Sequence, residues 1–258
     1  MPRLTLLTDF GTADGYAAAM KGVIASICPE AVLDDASHEV PPGDVEAAAW
    51  ALARYWRLYP PGTVHVVVVD PGVGGERRAL AVRADERLLV APDNGILTRV
   101  LEEAQAWAAA AIQQPRFLRP EISRTFHGRD IFAPAAAHLA LGVPLEELGP
   151  TLTDPVRLHL ARFTITPDAV LGSVIHVDRF GNLVTNIPAG WVSAGHVVAA
   201  GRDLGPVRRS YVEVAPGEVL ALVGSAGLLE VAARDGSAAA SLGLGRGAEV
   251  RVQRIQGG

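Results

Sequence analysis

Val67-Val68-Val69-Asp70-Pro71-Gly72-Val73-Gly74-Gly75-Glu76-Arg77-Arg78 begins as an unbroken apolar run and ends in a glycine-rich turn that carries charge. Taken back to Val64, the run reads as a strand covered on both faces, the mark of a parallel sheet held between helices. Asp-Pro-Gly alone is an ordinary turn, so Asp70 gains meaning only from what the rest of the chain places beside it.

Upstream and downstream, short apolar runs alternate with helical patterns: Leu4 to Thr8, Ala31 to Leu33, Leu80 to Val82 and Leu88 to Ala91. That alternation predicts an α/β N-terminal domain with a largely parallel sheet over residues 1–155. Asp14 is expected to cap a helix whose Tyr16, Met20, Val23, Ile24 and Ile27 share one face and which Pro29 ends. Asp44 opens a second helix with Val45, Ala48, Ala49, Leu52, Trp56 and Tyr59 in a helical stripe, which assigns Trp56 to the core. A third helix follows Gly128 and runs to Gly142.

Regularity fades between Pro155 and Pro167, giving a linker at 156–168. Beyond it come closely spaced strands at Ala169 to Val177, Leu183 to Ile187, His196 to Ala199, Ser210 to Val214, Val219 to Val223 and Ala248 to Ile255. Residues 169–258 therefore read as a smaller β-rich C-terminal domain, barrel- or sandwich-like.

The chain has 258 residues, 49% of them hydrophobic, which is enough to bury a large core. Its net charge of -5, with Lys21 as its lysine, gives no basic stripe and argues against a nucleic-acid partner. One cysteine, Cys28, precludes a disulfide framework and reads as a small buried hydrophobe in a reduced compartment. No signal peptide and no run of 18 apolar residues is visible, so a cytoplasmic protein with no membrane partner is expected.

Asp9, Asp34-Asp35, Asp70 and Asp93-Asn94 each follow a predicted strand, at the edge where open parallel sheets bind ligands. If the strands are neighbours, these groups converge on one rim and make a cleft there. The glycine turn is not a phosphate loop, because G-x-x-x-x-G-K-[ST] is absent and no G-x-G-x-x-G opens a helix. A carboxylate such as Asp9 suits a vicinal diol, since its oxygens accept both hydroxyls, so a nucleoside fits the rim. His127, between Phe126 and Gly128 and just ahead of a helix, stands apart from the other histidines: Gly128 leaves space for its ring to face a site. No H-E-x-x-H or Cys/His spacing predicts a zinc site.

Leu7-Thr8-Asp9-Phe10-Gly11, Val69-Asp70-Pro71-Gly72-Val73-Gly74, Ala91-Pro92-Asp93-Asn94-Gly95, Phe126-His127-Gly128-Arg129-Asp130 and Asp178-Arg179-Phe180-Gly181-Asn182 together resemble one family, in order, over nearly the whole chain. It is the adenosine-forming S-adenosylmethionine hydrolase family, also called S-adenosylmethionine hydroxide adenosyltransferase, related to fluorinase and chlorinase. The resemblance implies a catalytic set of Asp70, Arg77 and His127 and a ribose contact at Asp9, with Asn94 and Gly128 also at the site. It implies that Asp178 and Asn182 hold the methionine end with Phe180 packed nearby, that Ser225 meets the methionine carboxylate, and that backbone around Ala233 and Asp235 reads adenine. Leu228 departs from the aromatic that relatives often carry there, which leaves the adenine contacts open. Halogenases carry a tyrosine where Asp70 stands, and the fluorinase a serine at the place of Gly128, so this chain resembles the water-using branch.

The activity so implied is hydrolysis of S-adenosylmethionine to adenosine and L-methionine, with no metal or organic cofactor, in a homotrimer that shares its sites between subunits. The alternatives are a halogenase of the same superfamily and a nucleoside-binding sensor without turnover. The proton route stays open: Asp70 and His127 hydrogen-bond the water while Arg77 fixes the carboxylate, or Arg77 binds hydroxide and His127 orients it.

Overall fold

The computed structural model describes residues 1–192 and 195–254, and its contacts divide the chain into Met1–Leu158 and His159–Gly258. In the first unit the chain runs β1 (Arg3–Thr8), α1 (Tyr16–Ile27), β2 (Val32–Ser37), α2 (Val45–Ala53), β3 (Val64–Val68), β4 (Ala79–Ala84), β5 (Arg87–Pro92), α3 (Thr98–Glu103), β6 (Trp107–Ala111), α4 (Ala133–Ala140) and β7 (Thr151–Leu152). The sheet order is β2-β1-β3-β5-β4-β6-β7. β2, β1, β3 and β5 are mutually parallel, while β4, β6 and β7 join antiparallel. The parallel half is the half that carries the site.

Alternation along β3 explains the layers. Val64, Val66 and Val68 enter a core with Met20 and Ile24 of α1 and the alanines of α4. Val67 and Val69 enter a second core with Ala48 and Leu52 of α2 and Val100 of α3. Trp56 is fully buried there, although α2 ends at Ala53 and a short 3-10 turn, Trp56–Leu58, delivers it. Asp44 caps α2 by accepting from the Ala47 amide. Asp14 does not cap α1: Gly15, in the left-handed region at φ 77, occupies that position without a side-chain bond. Cys28 is buried, as a small hydrophobe would be.

β6 was not foreseen, because Trp107-Ala108-Ala109-Ala110-Ala111 carries the best helix former in a row. Pairing with β4 overrides propensity, since only small side chains fit where Ala109, Ala110 and Ala111 are buried.

In the second unit, β8 (Thr164–Ile165), β9 (Ala169–Val177), β10 (Leu183–Pro188), β11 (Gly195–Ala199), β12 (Arg202–Pro206), β13 (Val219–Val223), β14 (Leu228–Ala233) and β15 (Glu249–Arg254) form one antiparallel sheet, with the helix α5 (Ala238–Leu242) between β14 and β15 in the chain. Its order is β12-β11-β15-β9-β10-β14-β13, with β8 on β9. The Arg208 amide donates to Ala221 of β13, just past β12, so the sheet nearly closes into a barrel. Ser210 to Val214 is not a strand but a 3-10 turn, Tyr211–Glu213, at that closure. The run expected to reach Ile255 is β15, and Ile255 lies outside the described residues.

His65 on β3 is fully buried, its Nδ1 2.8 Å from Thr5 Oγ1, and burial pushes its pKa down to about 4. A depressed histidine pKa adds stability that is complete above the ordinary value of 6.5 and is lost as pH falls toward 4. Chemical denaturation of the protein should therefore show the first unit losing roughly 3 kcal/mol across that window. His65→Gln should flatten this acid dependence.

Candidate functional site

β1 and β3 are adjacent and parallel, so their carboxyl ends bring Asp9 and Asp70 to one rim. There a cavity of about 330 Å³ opens, lined by Asp9, Asp70, His127 and Gly128, with Phe10, Tyr16 and Phe126 among its walls. All of it belongs to the first unit.

The turn after Asp70 is built from successive reverse turns, Val73 N to Asp70 O at 3.2 Å and Gly75 N to Gly72 O at 3.1 Å. Gly74 sits at φ 77, and a Cβ there would collide with the Arg124 carbonyl, so only glycine lets this turn lie against the segment leading into His127. Thus folded, the chain returns Arg77 to Asp70. The Arg77 Nε donates to both carboxylate oxygens, at 3.1 and 2.9 Å, and Nη2 also reaches Asp70 Oδ2. Nη2 lies 2.6 Å from His127 Nδ1, and the guanidinium stands 5.4 Å over the buried Phe132 ring. Both charges are largely out of solvent, with 12% of the Arg77 side chain and 5% of the Asp70 side chain exposed.

A guanidinium has only donors, so His127 Nδ1 must accept. The imidazole is then neutral, and its remaining proton is on Nε2. Burial and the neighbouring Arg77 charge, in that order, hold its pKa below the ordinary range, which agrees with that assignment.

His127 precedes a π-helical turn, Gly128–Phe132, in which the Ala133 amide reaches back to Gly128 O. Asp130 in that turn is fully buried and organises the loop before it, accepting from Arg129 at 2.6 and 2.9 Å and from the Ser123 amide at 2.8 Å, with Arg119 at 3.4 Å. Burial pushes the Asp130 carboxyl up, but these partners outweigh it and the net shift is downward. Gly128 does not leave open space. A Cβ there would lie 3.1 Å from Met20 Sδ and 3.3 Å from the Phe10 ring.

Asp9 Oδ2 accepts from the Gly43 amide at 2.8 Å, which fixes the carboxylate beside the cavity. His38 supports that loop. Its Nδ1 is 2.8 Å from Thr8 Oγ1, which takes the Phe10 amide at 3.2 Å, and its carbonyl takes the Gly11 amide at 2.8 Å.

The other strand-end groups are structural. Asp34 and Asp35 lie inside β2, paired with Arg3 and with Lys21 and His38. Asp93 accepts from Arg78 at 2.6 Å and the Val156 amide at 2.8 Å, and Arg78 also binds Asp154. The adjacent arginines thus part company, Arg77 to the cavity and Arg78 to the framework. Asn94 spends its amide on Val69 O and the Ile96 amide, so it braces the ends of β3 and β5 rather than lining the cavity.

In the second unit, Asp178 shapes the turn between β9 and β10: Oδ1 accepts from the Phe180 and Asn182 amides and Oδ2 from Asn182 Nδ2, each at 2.9 Å. Phe180 is 75% exposed on that turn. Ser225 lies in the turn before β14, Ala233 at the strand's far end, and Asp235 just beyond at φ 54. Sequence reading passed over Phe10, Tyr16 and Gly43 as site residues. Tyr16 had been assigned to the core face of α1, yet 48% of it is exposed, at the cavity. Its place, at the first turn of the helix after β1, was the available signal.

A carboxylate, a guanidinium and a neutral imidazole thus gather at the rim of a parallel sheet, beside a second carboxylate, in one enzyme cleft. The chain belongs to the S-adenosylmethionine hydroxide adenosyltransferase family: residues 4–149 match that family's N-terminal domain and residues 172–251 its C-terminal domain. It is 44% identical over 255 residues to the (R)-S-adenosyl-L-methionine hydrolase of Thermus thermophilus, covering 95% of this chain and 97% of the relative. It is 40% identical to the hydrolase of that name from Salinispora tropica, over 97% of each chain. A fluorinase from Actinopolyspora mzabensis is 30% identical over 98% of this chain and 97% of its own. An uncharacterized conserved protein of Thermotoga maritima shares the fold with a TM-score of 0.91 and 37% identity, over 97% of this chain and 100% of its own.

Gly74→Ala should force the loop away from Arg124, lowering kcat by at least roughly tenfold and costing about 1 kcal/mol or more of stability. Gly72→Ala, whose Cβ would make only ordinary contacts with Arg77 Cγ at 3.5 Å and Asp70 Oδ1 at 3.8 Å, should be much milder. Steady-state kinetics with thermal melts on both variants checks this.

Proposed function

We propose that this protein hydrolyses S-adenosyl-L-methionine to adenosine and L-methionine by attack of water at ribose C5′. The Asp70–Arg77–His127 cluster carries this reading. In the reaction a bond forms from the water oxygen to C5′, the carbon–sulfur bond breaks with its electron pair going to sulfur, and methionine leaves as a neutral thioether. The leaving group needs no proton. The protein's task is to align water and to accept or stabilise the loss of its proton.

The hydrogen-bond pattern divides the labour. Arg77 has no acceptor and His127, proton on Nε2, has already committed Nδ1 to Arg77, so Asp70 is the acceptor of the set. His127 then serves as a donor that orients the water, and Arg77 holds both partners while meeting the negative charge that develops on oxygen. Asp9 takes the ribose hydroxyls.

The same reading includes finer expectations. Asp178, Phe180, Asn182 and Ser225 serve the methionine end, and backbone near Ala233 and Asp235 serves adenine. The active species is a homotrimer working in the cytoplasm without metal or organic cofactor. No helix among the described residues is long and apolar enough to cross a membrane, and none of their acidic, histidine or cysteine groups form a metal cluster. Hydrolases among the relatives reach 44% identity whereas fluorinases reach 31%, which favours water over halide as nucleophile.

Incubation with the substrate in ¹⁸O-labelled water should give adenosine labelled at the 5′ oxygen and one equivalent of methionine, with no halogenated nucleoside when chloride or fluoride is added. A halogenated product, or tight binding with no methionine released, would overturn the assignment. Arg77→Lys, which keeps the charge but loses the fork, should lower kcat roughly 100-fold with little change in KM. Asp9→Ala should instead raise KM about tenfold or more while kcat changes less.

The acid limb gives a separate check. Protonating His127 turns Nδ1 into a donor facing Arg77 and breaks the cluster. Because its pKa is lowered, activity should hold through pH 6.5 and fall only below it. A pH–rate profile with its acid midpoint above that value would contradict the neutral-imidazole assignment.

A further inference from the structure

We propose that Arg78 is a positioning residue for the turn after β3: by clasping Asp93 and Asp154 it fixes the register in which Arg77, and not its identical neighbour, meets Asp70 and His127. This rests on the reading above, in which Arg77 holds both partners, and adds the group that places Arg77. The two arginines are adjacent at the exit of a turn that contains Gly72, Gly74 and Gly75. Either guanidinium has the fork a carboxylate accepts, and a slip of one residue would offer Arg78 to Asp70 and turn Arg77 to the other face. Asp70 alone does not tell them apart.

The distinction is made where Arg78 is held. Its Nε donates to Asp93 Oδ2 at 2.6 Å, its Nη1 to Asp154 Oδ1 at 2.9 Å and its Nη2 to the Asp154 carbonyl at 2.8 Å. The Arg78 carbonyl in turn accepts the Asp93 amide at 2.9 Å, one step beyond the Ala79–Pro92 pair of the β4–β5 ladder. Side chain and main chain of one residue thus grip the same aspartate. Only 2% of the Asp93 side chain is exposed, and it also accepts the Val156 amide at 2.8 Å. A slip would leave this buried carboxylate without its cation, which is strongly unfavourable.

The far side of the clasp is firm as well. Residues 154–158 belong to the first unit and are strapped to the loop after β5: Thr98 Oγ1 accepts the Leu158 amide at 2.8 Å, and a Cβ on Gly95 would lie 2.9 Å from Leu158 Cγ. Neighbouring residues in extended chain face opposite ways, so holding Arg78 on the strap directs Arg77 to the cavity.

His127 reports whether Arg77 is held. The charged groups that bear on its ring are Arg77, which lowers its pKa, and Asp70 and Asp130, which raise it. An Arg77 set loose no longer opposes protonation of the ring and no longer masks Asp70, so the histidine pKa moves up.

Arg78→Gln, Arg78→Lys and Asp154→Ala are compared by thermal melts, steady-state kinetics, pH–rate profiles and NMR titration of the His127 imidazole in the ligand-free protein. Arg78→Gln should lower kcat roughly tenfold with KM within about twofold, and should raise the acid midpoint and the His127 pKa together by about half a unit or more. Arg78→Lys, a point charge that cannot bridge Asp93 and Asp154, should fall between it and the native protein. Asp154→Ala, at a side chain 76% exposed, should fold normally and lower kcat about threefold with the His127 pKa moving the same way, so it decides the matter if Arg78→Gln does not fold. A His127 pKa unmoved in the folded variants, or lowered stability with kcat unchanged, would overturn the proposal. The titration needs no turnover, so it tests Arg78 even where no methionine is released, an outcome that would instead overturn the assigned activity.

Discussion

The site depends on a largely buried fork between Arg77 and Asp70. Two opposite charges withdrawn from water are expensive to bury, and they are retained only where geometry gives each several partners. Here Arg77 meets both carboxylate oxygens and a histidine nitrogen and lies over an aromatic ring. One guanidinium thereby fixes the position of the carboxylate, the tautomer of the imidazole and the path of the turn between them.

That fork can form only because two loops fit each other. The turn after β3 has no side chain at Gly74 and so lies against Arg124, and the loop containing Arg124 is itself held by the buried Asp130. Beneath them, the parallel pairing of β1 with β3 sets the spacing of Asp9 and Asp70. His38 and Asn94, which reach no part of the cavity lining, secure the strand ends on which these residues ride. Charge, tight turns and sheet order are thus successive requirements for one cluster.

The chain is related both to proteins named as S-adenosyl-L-methionine hydrolases and to fluorinases, so one fold carries more than one chemistry. The fold supplies the rim, and the residues on it decide what attacks. In this chain the rim offers an acceptor, a donor and a fixed cation, a combination suited to water.

Much of this was legible in the chain. The valine run, the polar residues after it, the helix cap at Asp44 and the glycine turns of the second unit follow from periodicity and turn chemistry, which are local properties. Asp70, Arg77, His127 and Asp9 were legible through recurring motifs. Other positions misled: the alanines of β6 by helix propensity and Asp14 by the usual capping residues.

The sequence by itself determined β1, β3, β5 and α2, where the chain must turn, and which residue types stood ready at the strand ends, because those depend on neighbours in the chain. Only the tertiary structure decided which strand-end groups meet. It turned Arg77 inward and Arg78 outward, gave Asn94 to the framework, neutralised His127, and brought Tyr16 beside Phe126. Each of those outcomes depends on contacts between residues far apart in sequence, where burial and hydrogen-bond satisfaction, rather than local pattern, set the result.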